Sequence, residues 1–457
     1  MSTTLGILAM LASVAAPFQA TGVSRQRPTE PTNLVWQSAS TSVGAAGWSL
    51  PLPKGIHNLR VPVPSFGMDE QFVLGVPDPS MAGPGDRPLL VVFHQFGVSH
   101  ADVVFNTDFV AQAMARGWYL LGPLSRSPVG SPTINYGSAD SQQFTRAGLE
   151  YVLGQYPIDR SRIYGVGFSM GGAAVSSYAA RHMDPDAGMF AAVVNHTGSV
   201  DQADTWVILS QNPTQIGLME TIFGGNPSQQ PFAYRRASCI ELDPLTLDLA
   251  PAGTHMASNL RAVPVQFWWA QQDPRTYLVN QTEVLAGYLG ALPGAVVDLN
   301  PVPSGLHSWD VMRENEACQW LGAQQLQVPL VGSLLVDRDA RWYYFDVALE
   351  TPGQFGSFEY AVDPSAGLLS ITGSQGLQRI ETDLADWGPS SGSFPLTVEI
   401  EALDAADVIV LKEIPHPPMS ATRDGVPVSL GWFHNQFADT LTITELETGL
   451  HIWSFLP

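Results

Sequence analysis

Lysine is nearly missing from this 457-residue chain: Lys54 and Lys412 are the only two, and Lys+Arg total 21 against 42 Asp+Glu. The formal net charge of −21 repels phosphates, which argues against nucleic acid as a partner. No basic cluster exists to hold an anionic membrane. Cysteine is equally scarce. Cys239 and Cys318 stand far apart, with no C-x-x-C spacing and no adjacent histidine, so no metal site is expected. One disulfide or two buried thiols both remain open. Long apolar runs are lacking too. The N-terminal run from Leu5 to Ala16 is too short to span a bilayer, and no later segment reads as a membrane helix. Its length suits a signal-peptide core, followed by small residues at Ala15, Ala16 and Ala20, although no Lys or Arg precedes it. Residues 1–20 are therefore read as a signal peptide and the protein as exported, to the periplasm or the outside. The alternative is a cytoplasmic protein with a mis-annotated start or a disordered tail.

Apolar residues make up 45% of the chain and charged residues 14%, ordinary values that exclude wholesale disorder. Residues 21–55, rich in Ser, Thr, Pro and Gly, read as an irregular lead-in. Strand patterns follow at Leu59–Val63 and Glu70–Val76. Pro88–Phe93 is apolar throughout, as a central strand covered on both faces should be. Helical stretches at Asp108–Arg116 and Ser138–Tyr156 then alternate with buried strands at Trp118–Gly122 and Met189–Val194. Strand and helix in turn imply a mostly parallel sheet with helices on both faces. Residues 200–260 break this rhythm and read as an insertion, a lid or pocket wall. The pattern returns with a strand at Val263–Ala270, a helix at Tyr277–Gly290, a last strand at Ala295–Leu299 and a closing helix at Ser308–Leu321. Residues 56–325 thus form one α/β domain. Residues 326–457 carry strand patterns separated by Gly, Pro and Asp turns, and read as an all-β domain of sandwich type.

The α/β part is organised around Arg162-Ile163-Tyr164-Gly165-Val166-Gly167-Phe168-Ser169-Met170-Gly171-Gly172. Strand-formers enter a Gly-x-Ser-x-Gly turn and small residues leave it, the context of a nucleophile elbow. A serine hydroxyl needs a base, and the base an orienting carboxylate, both following the serine in the order acid, then histidine. His307 is the histidine placed just after the last strand, in a Gly-containing loop. Asp273 directly follows the strand ending at Ala270 and is the preferred acid; Asp201, also after a strand, is the alternative. The oxyanion needs two N–H donors. Met170 supplies one, and the loop His94-Gln95-Phe96-Gly97 the other, with Phe96 preferred and Gln95 second. His196, Trp268 and Trp309 are candidate pocket residues, core packing being the competing role for the tryptophans.

Together, Gly167–Gly172, His94–Gly97, Asp273 and His307 resemble the α/β-hydrolase superfamily. Ile158-Asp159-Arg160-Ser161-Arg162-Ile163-Tyr164, with His307-Ser308-Trp309, is similar to its polyhydroxybutyrate depolymerase, feruloyl esterase and prolyl-oligopeptidase-like branches. The resemblance covers roughly residues 60 to 325. Gln95 stands where these families usually carry glycine. The resemblance implies a serine hydrolase of carboxylic esters, small-molecule, polymeric or aromatic, needing no cofactor. Related oligopeptidases usually carry a large propeller before the catalytic domain, and only about 60 residues precede this one, so a peptidase is the second reading. A binding or adhesion protein on a hydrolase scaffold is the third.

Overall fold

A computed structural model describes residues 52–81, 85–243, 245–251, 253–387, 395–403 and 407–456. The signal peptide expected at 1–20, and all but the end of the lead-in at 21–55, lie outside them. The chain divides into two compact units. One comprises Met1–Ala179, Gly188–Ala250 and Val263–Leu326; the other comprises Ala180–Ala187, Pro251–Ala262 and Gln327–Pro457.

In the first unit, eight strands form one sheet: β1 (Gly55–Val63), β2 (Met68–Val76), β3 (Arg87–Phe93), β4 (Tyr119–Pro123), β5 (Ile158–Phe168), β6 (Ala192–His196), β7 (Val265–Ala270) and β8 (Val297–Val302). Their spatial order is β1-β2-β4-β3-β5-β6-β7-β8. The pairs β1–β2 and β2–β4 are antiparallel, and every pair from β4 to β8 is parallel. β4, β6 and β7 are buried at every position, which is why their sequences are mostly apolar rather than alternating. Helices Phe109–Arg116, Ala139–Gln155, Met170–Arg181, Thr276–Ala291 and Glu314–Gly322 connect or follow the parallel strands. Their ends carry the expected local chemistry: the Ser138 hydroxyl accepts from the Ser141 N–H, and Gly117 closes its helix at φ 69°.

The segment 200–260 is more regular than its composition suggests. It folds into helices Gln202–Ile208, Pro213–Phe223 and Pro231–Arg235, the first two capped by Asp201 and Asn212. The closing helix is shorter than expected. A single turn at Trp309–Val311 ends at extended Met312, and the helix proper starts at Glu314. β6 begins at Ala192 rather than Met189.

Among the described residues, the second unit holds β9 (Val331–Val336), β10 (Ala340–Trp342), β11 (Phe345–Leu349), β12 (Gly356–Asp363), β13 (Leu368–Gln375), β14 (Leu377–Asp383), β15 (Leu396–Ala402), β16 (Asp407–Lys412), β17 (Ser420–Arg423), β18 (Val426–Pro427), β19 (Trp432–Asn435), β20 (Thr440–Glu445) and β21 (Gly449–Leu456). They form two further sheets, of six strands (order β10-β11-β14-β16-β20-β19) and seven strands (order β18-β17-β21-β15-β13-β12-β9). Strict in–out alternation marks β12 (Gly356–Asp363), β15 (Leu396–Ala402) and β16 (Asp407–Lys412). The Phe345 ring of β11 (Phe345–Leu349), in the six-stranded sheet, packs edge-on at 5.0 Å against Tyr360 of β12, in the seven-stranded one. This unit also buries a charge pair, Arg181 with Asp337 at 2.7 Å, both side chains almost wholly shielded. Such a pair is costly to break one-sidedly.

Glycine spacing decides where the first unit tolerates change. A Cβ on Gly167 would collide with the Gly171 carbonyl, whereas one on Gly287, in the exposed face of Thr276–Ala291, meets nothing within 4 Å. Gly167→Ala is therefore expected to lower stability by more than about 3 kcal/mol, and Gly287→Ala to raise it by about 0.5–1 kcal/mol. Urea melts of the two variants check both signs.

Candidate active site

The end of β5 turns so sharply that its backbone passes against the next strand's. Ser169 has φ 58°, a left-handed conformation that a non-glycine residue adopts only when its surroundings hold it there. Three backbone bonds do so. Ser169 N–H donates to the His196 carbonyl at 2.9 Å, and the Ser169 carbonyl accepts from Ala173 and Ser199 at 3.2 and 3.3 Å. The flanking glycines make room. A Cβ on Gly171 would meet the Phe93 carbonyl at the end of β3, and one on Gly172 would stand 2.5 Å from Gly198 Cα. Asn195 locks the same junction: its Nδ2 donates to the Gly172 carbonyl and Ser176 Oγ, while its Oδ1 accepts from Gly198 N–H.

Three side chains meet above this turn. Ser169 Oγ lies 2.8 Å from His307 Nε2, and His307 Nδ1 lies 2.7 Å from Asp273 Oδ2. Each arrives from the carboxyl end of a strand or the loop after it: Ser169 after β5, Asp273 after β7, His307 after β8. The other Asp273 oxygen, Oδ1, accepts from the Arg275 N–H at 2.7 Å, which fixes the carboxylate's rotation. Asp273 is 3% exposed and Ser169 7%, so little water competes for these bonds.

Asp201 is placed elsewhere. Its Oδ1 caps helix Gln202–Ile208 through the Ala203 and Asp204 N–H groups, and its Oδ2 accepts from Leu242 N–H at 2.7 Å. Its lone pairs are committed to backbone donors rather than to an imidazole. Burial, the dominant effect, pushes its carboxyl up to about 7.

Met170 opens helix Met170–Arg181, so its N–H stands at the positive end of the helix. In the loop after β3, the ring nitrogens of His94 lie 2.8 Å from the Gln95 carbonyl and 2.9 Å from the Leu124 carbonyl. The loop carrying Gln95 and Phe96 is thereby tied to the end of β4. Phe96 packs on Tyr136 at 5.8 Å. Around Met170 gathers an apolar cluster of Ile134, Tyr136, Leu209, Met219, Phe223 and Tyr234, with Phe96 and Trp206 packed against it. Residues of the 200–260 insertion supply much of it.

Trp268 and Trp309 lie in the main core at 2% and 3% exposure. Trp268 Nε1 donates to Gln266 at 2.8 Å, and Trp309 Nε1 donates to Asp102 at 2.9 Å. The core-packing role accounts for both. His196 is buried against Phe168, and burial keeps its imidazole well below the ordinary range and therefore neutral. Cys239 and Cys318 are free, buried thiols, each pushed up by burial, Cys318 to about 12. Neither is ionised for nucleophilic work at neutral pH. Among the described residues no His, Cys, Asp and Glu cluster is arranged to hold a metal ion, and no helix is long and apolar enough to cross a membrane.

Sequence reasoning missed Glu70. It sits in β2, wholly buried, and accepts from the Ser125 and Arg126 N–H groups at 2.7 and 3.1 Å, bracing the β4 end that His94 also holds. An acidic residue in an alternating strand reads as solvent-facing, so only the three-dimensional surroundings reveal it. Burial pushes its carboxyl from 4.5 up to about 8. The unfolded carboxyl ionises near 4.5 while the folded one keeps its proton to about 8. Between these the unfolded state binds fewer protons, and the contribution of Glu70 to stability declines as pH rises. Urea melts at pH 5, 6.5 and 8 are expected to show Glu70→Gln gaining on the parent protein with each step.

No family model matches this chain, and no curated protein sequence matches it. Solved structures do. The fluorophosphonate-binding serine hydrolase F of Staphylococcus aureus is 15% identical, covering 59% of this chain and 99% of its own, at TM-score 0.44. An S-formylglutathione hydrolase of the same organism is 16% identical over 58% of this chain and 98% of its own, at TM-score 0.41. The Pyrococcus horikoshii acylaminoacyl peptidase is 15% identical over 59% of this chain and 40% of its own, at TM-score 0.42. Fold rests on the chain's own topology: the strand order 1-2-4-3-5-6-7-8, with a glycine-flanked serine after β5, an aspartate after β7 and a histidine after β8. By that architecture the first unit has the α/β-hydrolase fold.

Proposed function

We propose that this protein is a serine hydrolase of carboxylic esters. The observation that carries the reading is the continuous hydrogen-bonded chain from Ser169 Oγ through His307 to Asp273. In this scheme Nδ1–H of His307 donates to Asp273, which leaves Nε2 free to accept the serine proton. Ser169 attacks the acyl carbon as its proton passes to Nε2. The oxyanion is held by the Met170 N–H and a donor from the loop after β3, Phe96 before Gln95. The imidazolium then protonates the departing alkoxide. Water, deprotonated by the same nitrogen, releases the acid and restores Ser169. The cycle uses no metal or organic cofactor.

The apolar cluster around Met170 supports an uncharged acyl or aromatic group as the part of the ester that lies there, with the 200–260 insertion as its wall. A panel of small and polymeric esters separates those two substrate classes, and the acidic composition fits an exported enzyme. The same triad cleaves amides, so a peptidase is the second reading.

Ser169→Ala, His307→Ala and Asp273→Asn are each expected to lower kcat on a p-nitrophenyl ester by on the order of ten-thousandfold. Asp201→Asn should leave kcat within a few-fold and lower stability by about 1 kcal/mol through its cap. A parallel panel of peptide amides decides the bond. Faster amide than ester turnover would move the assignment to a peptidase. A folded protein inert to both panels would favour the binding-protein reading.

A further inference from the structure

Phe168, the residue before the serine, is wholly buried, and its ring meets three other rings of the site. Its centroid lies 4.6 Å from the His307 imidazole at an interplanar angle of 40°. The same ring lies 4.4 Å from His196 and 5.2 Å from Trp309. Trp309 is itself pinned by its bond to Asp102, so Phe168 cannot easily drift. His307 therefore has three fixed neighbours: Asp273 at Nδ1, Ser169 at Nε2, and the tilted Phe168 ring 4.6 Å from its own.

That third contact differs chemically from packing against an aliphatic chain. An aromatic face carries negative quadrupole density and attracts a cation within about 6 Å of its centroid. His307 is a cation only after it has taken the serine proton. We propose that Phe168 is a positioning residue for His307, holding the imidazole in line with Ser169 and stabilising it as the imidazolium. The inference rests on the hydrolase reading above. The step is balanced: the Oγ–H bond breaks, Nε2–H forms, Oγ bonds to the acyl carbon, and the carbonyl π pair moves to oxygen. Positive charge appears on the ring resting against Phe168, and negative charge on the oxyanion.

The surrounding groups leave Phe168 this role. Asp273 faces Nδ1, with Arg275 and Tyr277 as its own neighbours. Asp102 is engaged by Trp309. His196, against the same aromatic ring, stays neutral because it is buried, so no second cation competes for that ring. Among the described residues the His196 Nδ1 has no hydrogen-bond partner, which fits a group held by ring contact rather than by a polar network.

The test replaces the quadrupole while keeping the shape. Di- and trifluorinated phenylalanines placed at Phe168 withdraw density from the ring face in steps, and Phe168→Leu removes the face altogether. Loss of imidazolium stabilisation makes the charged form harder to reach, so the acid limb of kcat/KM moves to lower pH. Phe168→Leu should shift it by about half to one unit and reduce kcat by about three- to tenfold, with KM changed less than twofold. The fluorinated series should fall in between, in order of fluorine number. A limb that stays in place across the fluorinated series, whether or not kcat falls, overturns the proposal, because a purely packing role moves no pKa. NMR titration of the His307 ring in the same proteins reads the shift without turnover. A parent protein inert on every ester would count against the hydrolase reading, while an unmoved His307 titration would count against this one.

Discussion

The first unit depends on a backbone contact that only residues without side chains permit. The turn leaving β5 folds back on Gly167 and runs so close to the end of β3 and to the loop after β6 that Gly167, Gly171 and Gly172 have no room for a Cβ. That closeness drives Ser169 into its left-handed conformation and fastens its N–H and carbonyl to His196 and Ser199. Strain of this kind costs of order 1–3 kcal/mol and persists only where packing over-determines it. Here the surrounding β6 and β7 strands, buried at every position, supply that packing. The serine hydroxyl is thus set by the sheet rather than by a flexible loop.

Charge is distributed to match. The described part of the first unit buries several carboxylates, yet they do different work. Glu70 and Asp201 are spent on backbone N–H groups that brace a loop and begin a helix, and burial raises both. Asp102 holds the Trp309 indole. Asp273 alone of these accepts from an imidazole. Reading each carboxylate by its partners separates scaffold from chemistry more cleanly than its position after a strand does.

This separation explains how far the sequence could be read. Strands β3, β4, β6 and β7 are legible because burial on both faces leaves mostly apolar runs, and the elbow is legible because its steric demand fixes glycines at set spacing. Chain order favoured Asp273 over Asp201, but Asp201 also follows a strand, and only the three-dimensional arrangement of Leu242, Ala203 and Asp204 shows its lone pairs committed. The 200–260 region hid its helices because they are short and broken by Pro and Gly, although Asp201 and Asn212-Pro213 are recognisable starts. Glu70 and the Phe168–His307 contact left no mark, since burial of a strand carboxylate and the meeting of rings 139 positions apart depend on tertiary packing (307 − 168). Likewise, recruitment of Ala180–Ala187 and Pro251–Ala262 into the second unit rests on partners such as Asn259, whose amide bonds the Ala180 and Leu335 carbonyls.

The central claim is that His307 and Asp273 make Ser169 nucleophilic, and the most direct measurement is the site of covalent capture. The folded protein is treated with a fluorophosphonate, and the adduct is located by peptide mass spectrometry. The account predicts one phosphonyl group per chain on Ser169, formed far more slowly in His307→Ala. A folded protein that takes up no label, or takes it at another residue at an undiminished rate without His307, would contradict it.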